Sequence, residues 1–335
     1  MAATSACPIP DNEVQRLDAL RSYEILDSEP ELEFDALARA AAFTFNTPIA
    51  LVAMMDSNRL WFKSKIGLDI PQLDRKVAFC AYTINSPIEP LIVPDLSSDI
   101  RFAKNPLVAQ APNLRFYAGA PLLDANGLAL GTITVIDAKP RSFSDKEAAA
   151  LKDFATLAML AMNARKRAID LRKLALTDYL TDIPNRAQFD LSNAIEMSNF
   201  IRTNVPYSVI AMDLNGFKSV NDSHGHNGGD QVLRIVAGRL SKQLRVGDVI
   251  ARLGGDEFGV VARNCDRKTA ETMAQRFAKS LEQPIQLSNG ALVKVGISCG
   301  ISTASELYTS AELLLHRADD DLYKSKINAL KNSVS

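Results

Sequence analysis

The chain has 335 residues, of which 47% are hydrophobic and 23% charged, and its formal net charge is -1 at pH 7. Single hydrophobic cores typically stop growing near roughly 100–200 residues, so this length predicts two domains. The balanced charge gives no polycationic surface and argues against nucleic acid as a partner.

The cysteines and the apolar segments indicate the cellular compartment of the protein. Cys7, Cys80, Cys265 and Cys299 are scattered without a CxxC pair, which argues against a disulfide framework or a thiolate zinc site and is typical of a reducing compartment. The first residues carry no basic segment followed by an apolar run, so we expect no signal peptide. No uninterrupted apolar stretch of about 18 residues occurs, so no helix should span a membrane. We therefore expect a cytoplasmic protein.

The first half of the chain predicts helices followed by strands. Apolar residues at helical spacing predict one helix over about 13–26 and another over 32–45. Strand patterns follow at 48–55, 59–64, 91–93, 117–122 and 128–136. The dipeptide Asn126-Gly127 predicts a hairpin between the last two strands. Helices, an antiparallel sheet and a further helix together indicate an α+β domain.

This half of the chain resembles the GAF family over about residues 15–165, after an N-terminal tail of residues 1–14. The resemblance is carried by Arg59–Ser64, Phe79–Ile84, Val93–Phe102, Phe116–Leu122 and Leu130–Thr132. It implies either a small-molecule pocket over the sheet or a role in dimerisation alone. The ligand stays unknown, because the Asn-Lys signature of cyclic-nucleotide-binding relatives is absent. We interpret Cys80 as a small buried hydrophobe and Trp61 as a core residue rather than a pocket residue.

A long helix is predicted over residues 145–177, across the domain boundary. Ser144 is its expected N-cap, with Glu147 at the capping-box position. A heptad stripe, interrupted only by Arg167, is formed by Leu157, Leu160, Ala164, Leu171 and Leu174. This stripe predicts a short parallel coiled coil between two copies of the chain. The alternative is a linker helix whose apolar stripe packs on its own domain.

The next segments combine a buried strand with polar groups. Asn185 is expected to cap a helix, and an apolar strand over 207–212 runs directly into Asp213. A carboxylate at the end of a buried strand is costly unless a cation meets it. Residues 214–222 then offer glycine, backbone amides and lysine, which suit phosphate binding. His224 and His226 have no third ligand nearby, so we interpret them as structural or loop residues rather than zinc ligands.

Residues 252–258, Arg-Leu-Gly-Gly-Asp-Glu-Phe, lie between two apolar β-type runs. This pattern predicts a β-hairpin with Gly254 and Gly255 at its turn. Taken alone, the pattern equally fits an acidic surface turn. If this hairpin neighbours the earlier strand, Asp213 converges with Asp256 and Glu257 on one site. Such a set of oxygen ligands suits a divalent metal in phosphoryl transfer.

The second half of the chain closely resembles the GGDEF family of diguanylate cyclases over about residues 174–332. The matching blocks are Asp178–Arg186, Met212–Asp222, Gly225-His226, Gly229-Asp230, Arg252–Phe258, Ser298–Gly300 and Ala318–Tyr323. The resemblance implies a palm-like α/β domain of the nucleotide-cyclase type. It also implies condensation of two GTP into cyclic di-GMP with release of pyrophosphate, by a homodimer in which each domain holds one GTP.

The resemblance also implies individual roles. Asp213, Asp256 and the Leu214 carbonyl would bind Mg²⁺, with Mn²⁺ as an alternative. Asp256 would act as base toward the ribose 3′-hydroxyl, and Glu257 would support the metal site. The implied substrate-binding set is Asn221 and Asp230 for guanine, Phe217 and Lys218 for phosphates, Gly254 and Gly255 for the α-phosphate, and Lys326 for the terminal phosphate.

Two positions depart from the family pattern. Leu330 stands where the family has an arginine, unless Lys331 substitutes for it, and Asp182 stands where glycine is commoner. The first change implies weaker phosphate affinity, whereas the second is expected to matter little.

The sequence Arg245-Val246-Gly247-Asp248 matches the family's product-binding RxxD motif, with Arg276 as a secondary contributor. This implies inhibition by cyclic di-GMP; the alternative is a surface ion pair between Arg245 and Asp248. The competing class of function is a catalytically silent receptor for cyclic di-GMP. The intact hairpin and Asp213 favour the enzyme, regulated by its GAF domain.

Overall fold

The computed structural model describes residues 7–85, 89–305 and 310–332, with side chains up to residue 327. The chain forms two compact units, Met1–Ile169 and Asp170–Ser335. Within the described ranges, no helix is both long and apolar enough to cross a membrane.

The N-terminal unit is built on a six-stranded sheet in which every neighbouring pair is antiparallel. Two helices precede it, α1 (Glu13–Ser22) and α2 (Leu32–Thr44). The strands are β1 (Ile49–Met55), β2 (Arg59–Ile66), β3 (Gln72–Asp74), β4 (Leu91–Val93), β5 (Phe116–Leu123) and β6 (Ala129–Asp137), in the order β3-β2-β1-β6-β5-β4. A 3-10 helix (Arg75–Val77), α3 (Cys80–Asn85) and α4 (Pro106–Ala109) lie between strands. The predicted α+β arrangement is confirmed.

Both faces of this sheet are covered, because successive strand residues point to opposite sides. In β1, Val52 joins a core with Phe34 of α2, whereas Leu51 joins a separate core with Phe79 and Tyr117. Trp61 is 9% exposed and belongs to the first of these cores, as predicted.

A buried ion cluster ties α1 to the sheet. Arg16 is fully buried; its Nη1 donates to the Met55 carbonyl at 2.6 Å and its Nε to Glu13 at 2.8 Å. Arg75 also donates to Glu13, at 2.5 Å. Burial works to raise the pKa of Glu13, but the hydrogen bonds from Arg16 and Arg75 outweigh it and lower that pKa to about 2. Glu13 is therefore an ionised partner of two arginines.

Helix α5 runs over Asp145–Leu176, within a residue of its prediction. Its capping box is present, because the Ser144 N–H donates to Glu147 at 2.7 Å and the Glu147 N–H donates to Ser144 Oγ at 3.3 Å. The face that packs on the N-terminal unit consists of Leu151, Ala155, Ala158, Met159 and Met162. The predicted heptad leucines are exposed, from 49% at Leu157 to 78% at Leu174. The alternative that this stripe packs on its own domain is therefore wrong.

The C-terminal unit carries a four-stranded antiparallel sheet of order β12-β7-β9-β8. Its strands are β7 (Ser208–Asn215), β8 (Val249–Gly254), β9 (Glu257–Ala262) and β12 (Gly296–Thr303), and β10 (Ile285–Gln286) pairs separately with β11 (Leu292–Val293). The helices are α6 (Arg186–Thr203), α7 (Phe217–Ser241), α8 (Arg267–Ser280) and α9 (Ala311–Asn332). One core includes α7 and α8 residues, and a second includes α6 and α9 residues.

Two predicted elements differ from the structure. Helix α1 ends at Ser22 rather than near 26, because Glu24 adopts a left-handed φ of 48° and the chain turns there. Helix α7 begins at Phe217, so the glycine-rich stretch with His224 and His226 is helical on both sides of a kink at Gly225 (φ 69°). Of the two interpretations of these histidines, as structural or as loop residues, the loop one is therefore wrong. Val220 and Val232, on either side of the kink, are both in the core.

Candidate active site

Two of the three acidic residues singled out from the sequence lie on neighbouring strands, and the third, Asp256, lies in the turn between β8 and β9. Asp213 on β7 is the register partner of Glu257 on β9. The N–H of Leu214 donates to the Asp256 carbonyl at 3.2 Å, which fixes the hairpin turn beside the end of β7. Strand β7 continues two residues past Asp213, so this carboxylate belongs to the last part of the strand rather than following it. The backbone thus places the hairpin turn beside the end of β7, while among the described residues the three carboxylates do not form a cluster that could hold a metal ion.

The hairpin turn leaves its backbone open to a ligand. Gly254 pairs with Glu257, and Gly255 has a left-handed φ of 49°, which favours glycine. Apart from the glycine itself and its two chain neighbours, no heavy atom of the described part of the chain lies within 4 Å of the point where a Cβ on either glycine would stand. Glu257 is exposed and Asp256 half-buried. A phosphate can therefore approach this turn closely.

A lysine from the last helix meets Asp213. The Nζ of Lys326 lies 2.7 Å from Oδ2 of Asp213, whose side chain is 18% exposed. This contact depends on the close packing of α9 on β12. Gly300 of β12 permits that packing, because a Cβ there would lie 2.1 Å from the backbone nitrogen of Leu322, one turn before Lys326. The cation that the buried strand end was expected to require is thus supplied by the chain itself.

The segment after β7 forms a helix N-terminus. Gly216 has a left-handed φ of 82° and precedes Phe217 and Lys218, the first residues of α7. Their N–H groups have no partner within the helix, and a helix N-terminus favours anions. Phe217 is buried in the core while the Lys218 side chain is exposed, so Phe217 can offer a ligand only its backbone.

The two residues predicted to read guanine are brought near each other by a glycine. A Cβ on Gly229 would lie 2.0 Å from Oδ1 of Asn221, so any other residue at position 229 would require the Asn221 side chain to move. The kink at Gly225 turns the second part of α7 back onto Asn221. Asp230, next in sequence to Gly229, is thereby placed in the same neighbourhood.

An ion pair that the sequence did not indicate joins the hairpin to the end of α5. Arg252 Nη1 lies 3.1 Å from Asp178 Oδ1, and its Nε donates to the Gly255 carbonyl at 2.9 Å. The Arg252 N–H also donates to the Pro184 carbonyl at 2.9 Å. Burial tends to raise the pKa of Asp178, but hydrogen bonds from Thr181 and Arg252 outweigh it and hold that pKa below its ordinary value. The only sequence signal was a pair of opposite charges in two separate motif blocks.

The turn between α5 and α6 is fixed by further contacts. Asn185 caps α6 by accepting from the Gln188 N–H, as predicted, and its Nδ2 donates to the Ala175 carbonyl of α5 at 2.8 Å. Asp182 has a left-handed φ of 56°, which explains why glycine suits this position. The end of α5, this turn and the hairpin therefore form one hydrogen-bonded block.

The RxxD residues form a separate surface turn. The Asp248 carboxylate accepts from the backbone N–H groups of Arg245 at 3.2 Å and Arg263 at 3.1 Å, while the Arg245 side chain is exposed. The Arg276 guanidinium donates to the Gln243 carbonyl, two residues before Arg245. The described contacts of Asp248 thus hold the turn and leave the Arg245 guanidinium at the surface.

The other residues considered from the sequence are Leu330, Lys331 and the histidines. The side chains of Leu330 and Lys331 lie outside those the structure describes. No group of three or more potential metal-ligating His, Cys, Asp or Glu side chains occurs among the described residues, His224 and His226 included. The side chain of His316 is 74% exposed and lies 3.4 Å from Asp320 on the same helix.

The fold and the site define a two-unit protein in which an antiparallel-sheet domain precedes an α/β domain of the GGDEF type. Residues 175–332 match the family described as diguanylate cyclase, GGDEF domain, and residues 29–162 match the GAF domain family. The chain thus joins a segment that matches the GAF domain family to a segment that matches the GGDEF domain family.

The similar proteins include one named as a cyclic di-GMP phosphodiesterase and one named as a diguanylate cyclase. The chain is 30% identical over 302 residues to the cyclic di-GMP phosphodiesterase PA2567 of Pseudomonas aeruginosa, covering 88% of this chain and 49% of that protein. It is 31% identical to diguanylate cyclase A of Treponema denticola, covering 58% and 52%. The chain thus spans about half the length of these two relatives.

A solved structure shows the same fold in the second half of the chain. This is the coiled coil and GGDEF domain of DgcB from Caulobacter crescentus, in complex with c-di-GMP. It shares 24% identity and a TM-score of 0.50, covering 55% of this chain and 96% of that structure.

Proposed function

We propose that the protein is a diguanylate cyclase, which condenses two GTP molecules into cyclic di-GMP and two pyrophosphates. The observation that carries this proposal is the pairing of Asp213 with Glu257 across β7 and β9, beside the open turn at Gly254 and Gly255. If the hairpin were only an acidic surface turn, no carboxylate would be needed on the neighbouring strand β7, where Asp213 lies.

The donor set fits a hard divalent cation. Asp213 and Asp256 with the Leu214 carbonyl would hold Mg²⁺, or Mn²⁺ in its place, and Glu257 would support them, because carboxylate and carbonyl oxygens are what these ions prefer. When bound, the metal would neutralise charge on the substrate phosphates. Asp256 would take the proton of the attacking ribose 3′-hydroxyl.

The remaining groups of the site would bind and orient GTP. The N–H groups at Phe217 and Lys218 suit phosphates at the start of α7. Lys326 would hold the terminal phosphate. Asn221 and Asp230 would read guanine, since an aspartate accepts from guanine N1–H and N2–H₂ and adenine lacks both donors. We therefore expect GTP to be used in preference to ATP.

The reaction requires two copies of the chain. One hairpin positions one GTP, so each 3′-oxygen must attack an α-phosphate held by a partner domain. The exposed heptad leucines of α5, from Leu157 to Leu174, support a parallel coiled coil in a homodimer.

We also propose that the GAF domain regulates the rate of the reaction through helix α5. Cyclic di-GMP would inhibit the enzyme by binding at Arg245, Asp248 and Arg276. The protein would act in the cytoplasm.

The second candidate function is a catalytically silent receptor that binds cyclic di-GMP at the RxxD turn. The exposed Arg245 guanidinium beside an ordered turn is compatible with it. It does not account for the paired carboxylates or the open glycine turn. The phosphodiesterase name of one relative belongs to a protein of which this chain spans 49%, and it is not carried over.

Incubation of the purified full chain with GTP and Mg²⁺, followed by chromatography, tests the proposal. We expect cyclic di-GMP from the native protein and none from Asp256→Ala, with ATP giving no cyclic dinucleotide. A matched control is Asp266→Ala, since Asp266 caps α8 and lies outside the hairpin strands. If the native chain makes no product with either metal while binding cyclic di-GMP through Arg245, the receptor function replaces the enzyme.

A further inference from the structure

An ion pair between two helices occupies the outer edge of β12, which stands at one end of the C-terminal sheet. Arg267, the first residue of α8, donates from Nη1 to the Ile301 carbonyl at 2.5 Å. The Ile301 N–H donates to Oδ2 of Asp321 on α9 at 2.8 Å, and Arg267 Nη2 lies 3.1 Å from that same oxygen. Arg267, Ile301 and Asp321 thus form a closed ring of three contacts, which we call the β12 latch.

The β12 latch takes the place of a neighbouring strand. Among the described strands β12 pairs only with β7, where Ile301 is the register partner of Ile210. The N–H and C=O of Ile301 are bound instead by Asp321 and Arg267. Proteins commonly cover an unpaired strand edge with charged side chains or a helix. Here a carboxylate accepts and a guanidinium donates, as the backbone of a further strand would.

The latch fixes α9 at one point along β12. The two backbones touch there, since a Cβ on Gly300 would lie 2.1 Å from the Leu322 nitrogen and 2.2 Å from the Ala318 carbonyl oxygen. Such a contact limits how closely the helix approaches, whereas hydrogen bonds, which are directional, also set its position along the strand. The neighbouring Asp320 differs, because it lies 3.4 Å from His316 of its own helix.

The position of Lys326 depends on this anchor. Five residues of helix separate it from Asp321, a rise of about 7.5 Å. None of residues 323–327 is buried. Among the described side chains between Asp321 and Lys326, the hydrogen bond from Ser325 runs to the Asp321 carbonyl and not to the sheet. The latch is therefore the last described polar contact of α9 with the sheet before Lys326 meets Asp213 at 2.7 Å.

The strand register shows how a shift of the helix would reach the site. Asp213 on β7 is the register partner of Ser298, which precedes Ile301 by three residues on β12. From the latch, α9 therefore runs along the sheet toward Asp213. If α9 slid along β12 or turned about its axis at Asp321, the Lys326 ammonium would leave the Asp213 carboxylate.

We propose that Asp321 and Arg267 are positioning residues: the β12 latch holds α9 so that the Lys326 ammonium meets Asp213. The consequence for catalysis rests on the proposed function, in which Lys326 holds the terminal phosphate of GTP. A latch that only covered the strand edge would leave the contact between Lys326 and Asp213 intact when it is broken in a folded protein.

Competitive acetylation of the full chain without metal or nucleotide, read by mass spectrometry, measures how far the Lys326 amine is protected. Asp321→Ala and Arg267→Met break the latch from opposite sides, so the second variant decides if the first does not fold. In each we expect Lys326 to react about threefold faster, since an ion pair whose side chains are 36% and 18% exposed protects little more than that. Asp213→Asn gives the rate of the unpaired lysine.

Each latch variant has a matched control. Asp320→Ala removes the same charge from the neighbouring position of α9. Glu271→Gln accounts for the second ion pair of Arg267, whose Nε lies 2.9 Å from Glu271. Both controls should leave the acetylation rate of Lys326 unchanged.

Steady-state kinetics with GTP supply the second readout. Asp321→Ala should raise KM by the same factor of about three with kcat near the native value, and should raise it no further in a Lys326→Met background. Equal acetylation of Lys326 in the native chain and both latch variants would overturn the proposal, and so would an equal increase in the controls. A further rise of KM in Lys326→Met would also overturn it, because the effect would not pass through Lys326. If the native chain makes no cyclic di-GMP, the proposed function fails while acetylation still decides on the latch.

Discussion

Removal of the Asp178 charge should destabilise the C-terminal unit measurably. In Asp178→Asn, Arg252 loses an ionic partner 3.1 Å away in a place where the two side chains are only 13% and 16% exposed. Hydrogen bonds to charged groups contribute about 1.5–3 kcal/mol to stability. Breaking a fully buried ion pair costs about 3–5 kcal/mol, and breaking this partly exposed pair should cost less. We therefore expect a loss of about 2 kcal/mol in the free energy of unfolding.

The assay is a double-mutant cycle in urea on the full chain, with Asp178→Asn, Arg252→Gln and the double variant. The matched control is Glu271→Gln, which removes the same charge from an ion pair with Arg267 whose side chains are 51% and 50% exposed. There we expect less than about 1 kcal/mol. The reasoning would be refuted if the coupling energy between Asp178 and Arg252 were no larger than the loss of unfolding free energy in Glu271→Gln.

The pH dependence gives an independent check of the same ion pair. The folded-state pKa of Asp178 lies below its ordinary value of 3.8. Its stabilising contribution is therefore fully present above pH 3.8 and is lost as the pH falls through the lower, folded-state value. Asp178→Asn should remove this part of the acid sensitivity. Because Arg252 also holds the Gly255 carbonyl, the variant should in addition raise KM for GTP more than a control of equal stability does.

Three further predictions concern regulation, assembly and acid stability. Arg245→Ala should abolish inhibition by added cyclic di-GMP in a rate assay while leaving the uninhibited rate unchanged; persistent inhibition would exclude this turn as the product site. Leu171→Lys places a charge on the exposed heptad stripe, so it should lower the dimer fraction in sedimentation and the rate at low protein concentration together, whereas Arg172→Lys should change neither. Glu13 has a folded pKa of about 2 against an ordinary 4.5, so its contribution is present above pH 4.5 and is lost as the pH falls through about 2. Urea unfolding across that range should show the loss in the native chain and not in Glu13→Gln.

Local signals in the sequence were sufficient where a structure depends on near neighbours. The capping box at Ser144 and Glu147 lies within four residues, and the structure forms it as predicted. The apolar pattern failed at α1, because Tyr23 and Ile25 continue the spacing of buried residues while the backbone turns at Glu24. Burial pattern and backbone direction are separate properties, and the sequence pattern reports only the first.

Contacts between distant segments were harder to predict. Glycines 228 and 229 suggested a loop, yet both are buried within α7, where Asn221 closely approaches Gly229. Arg252 and Asp178 lie 74 residues apart in the sequence. Their pairing depends on how the turn after α5 folds back onto β8, which no local pattern determines. The resemblance to a known family supplied the order of the motif blocks but not this contact.

The ion pair between Lys326 and Asp213 has a consequence for how the proposed site would fill. A divalent ion at Asp213 would compete with the Lys326 ammonium, which lies 2.7 Å from one oxygen of that carboxylate, so metal binding would be a cation exchange. The displaced lysine is then free to move to the terminal phosphate of an arriving nucleotide. Metal and nucleotide would thus bind with positive cooperativity, because the metal would free Lys326 for the phosphate and the nucleotide would draw the competing ammonium away from Asp213. Lys326→Met should tighten metal binding in the absence of nucleotide and weaken this cooperativity, which calorimetric titration of Mn²⁺ with and without GTP would measure.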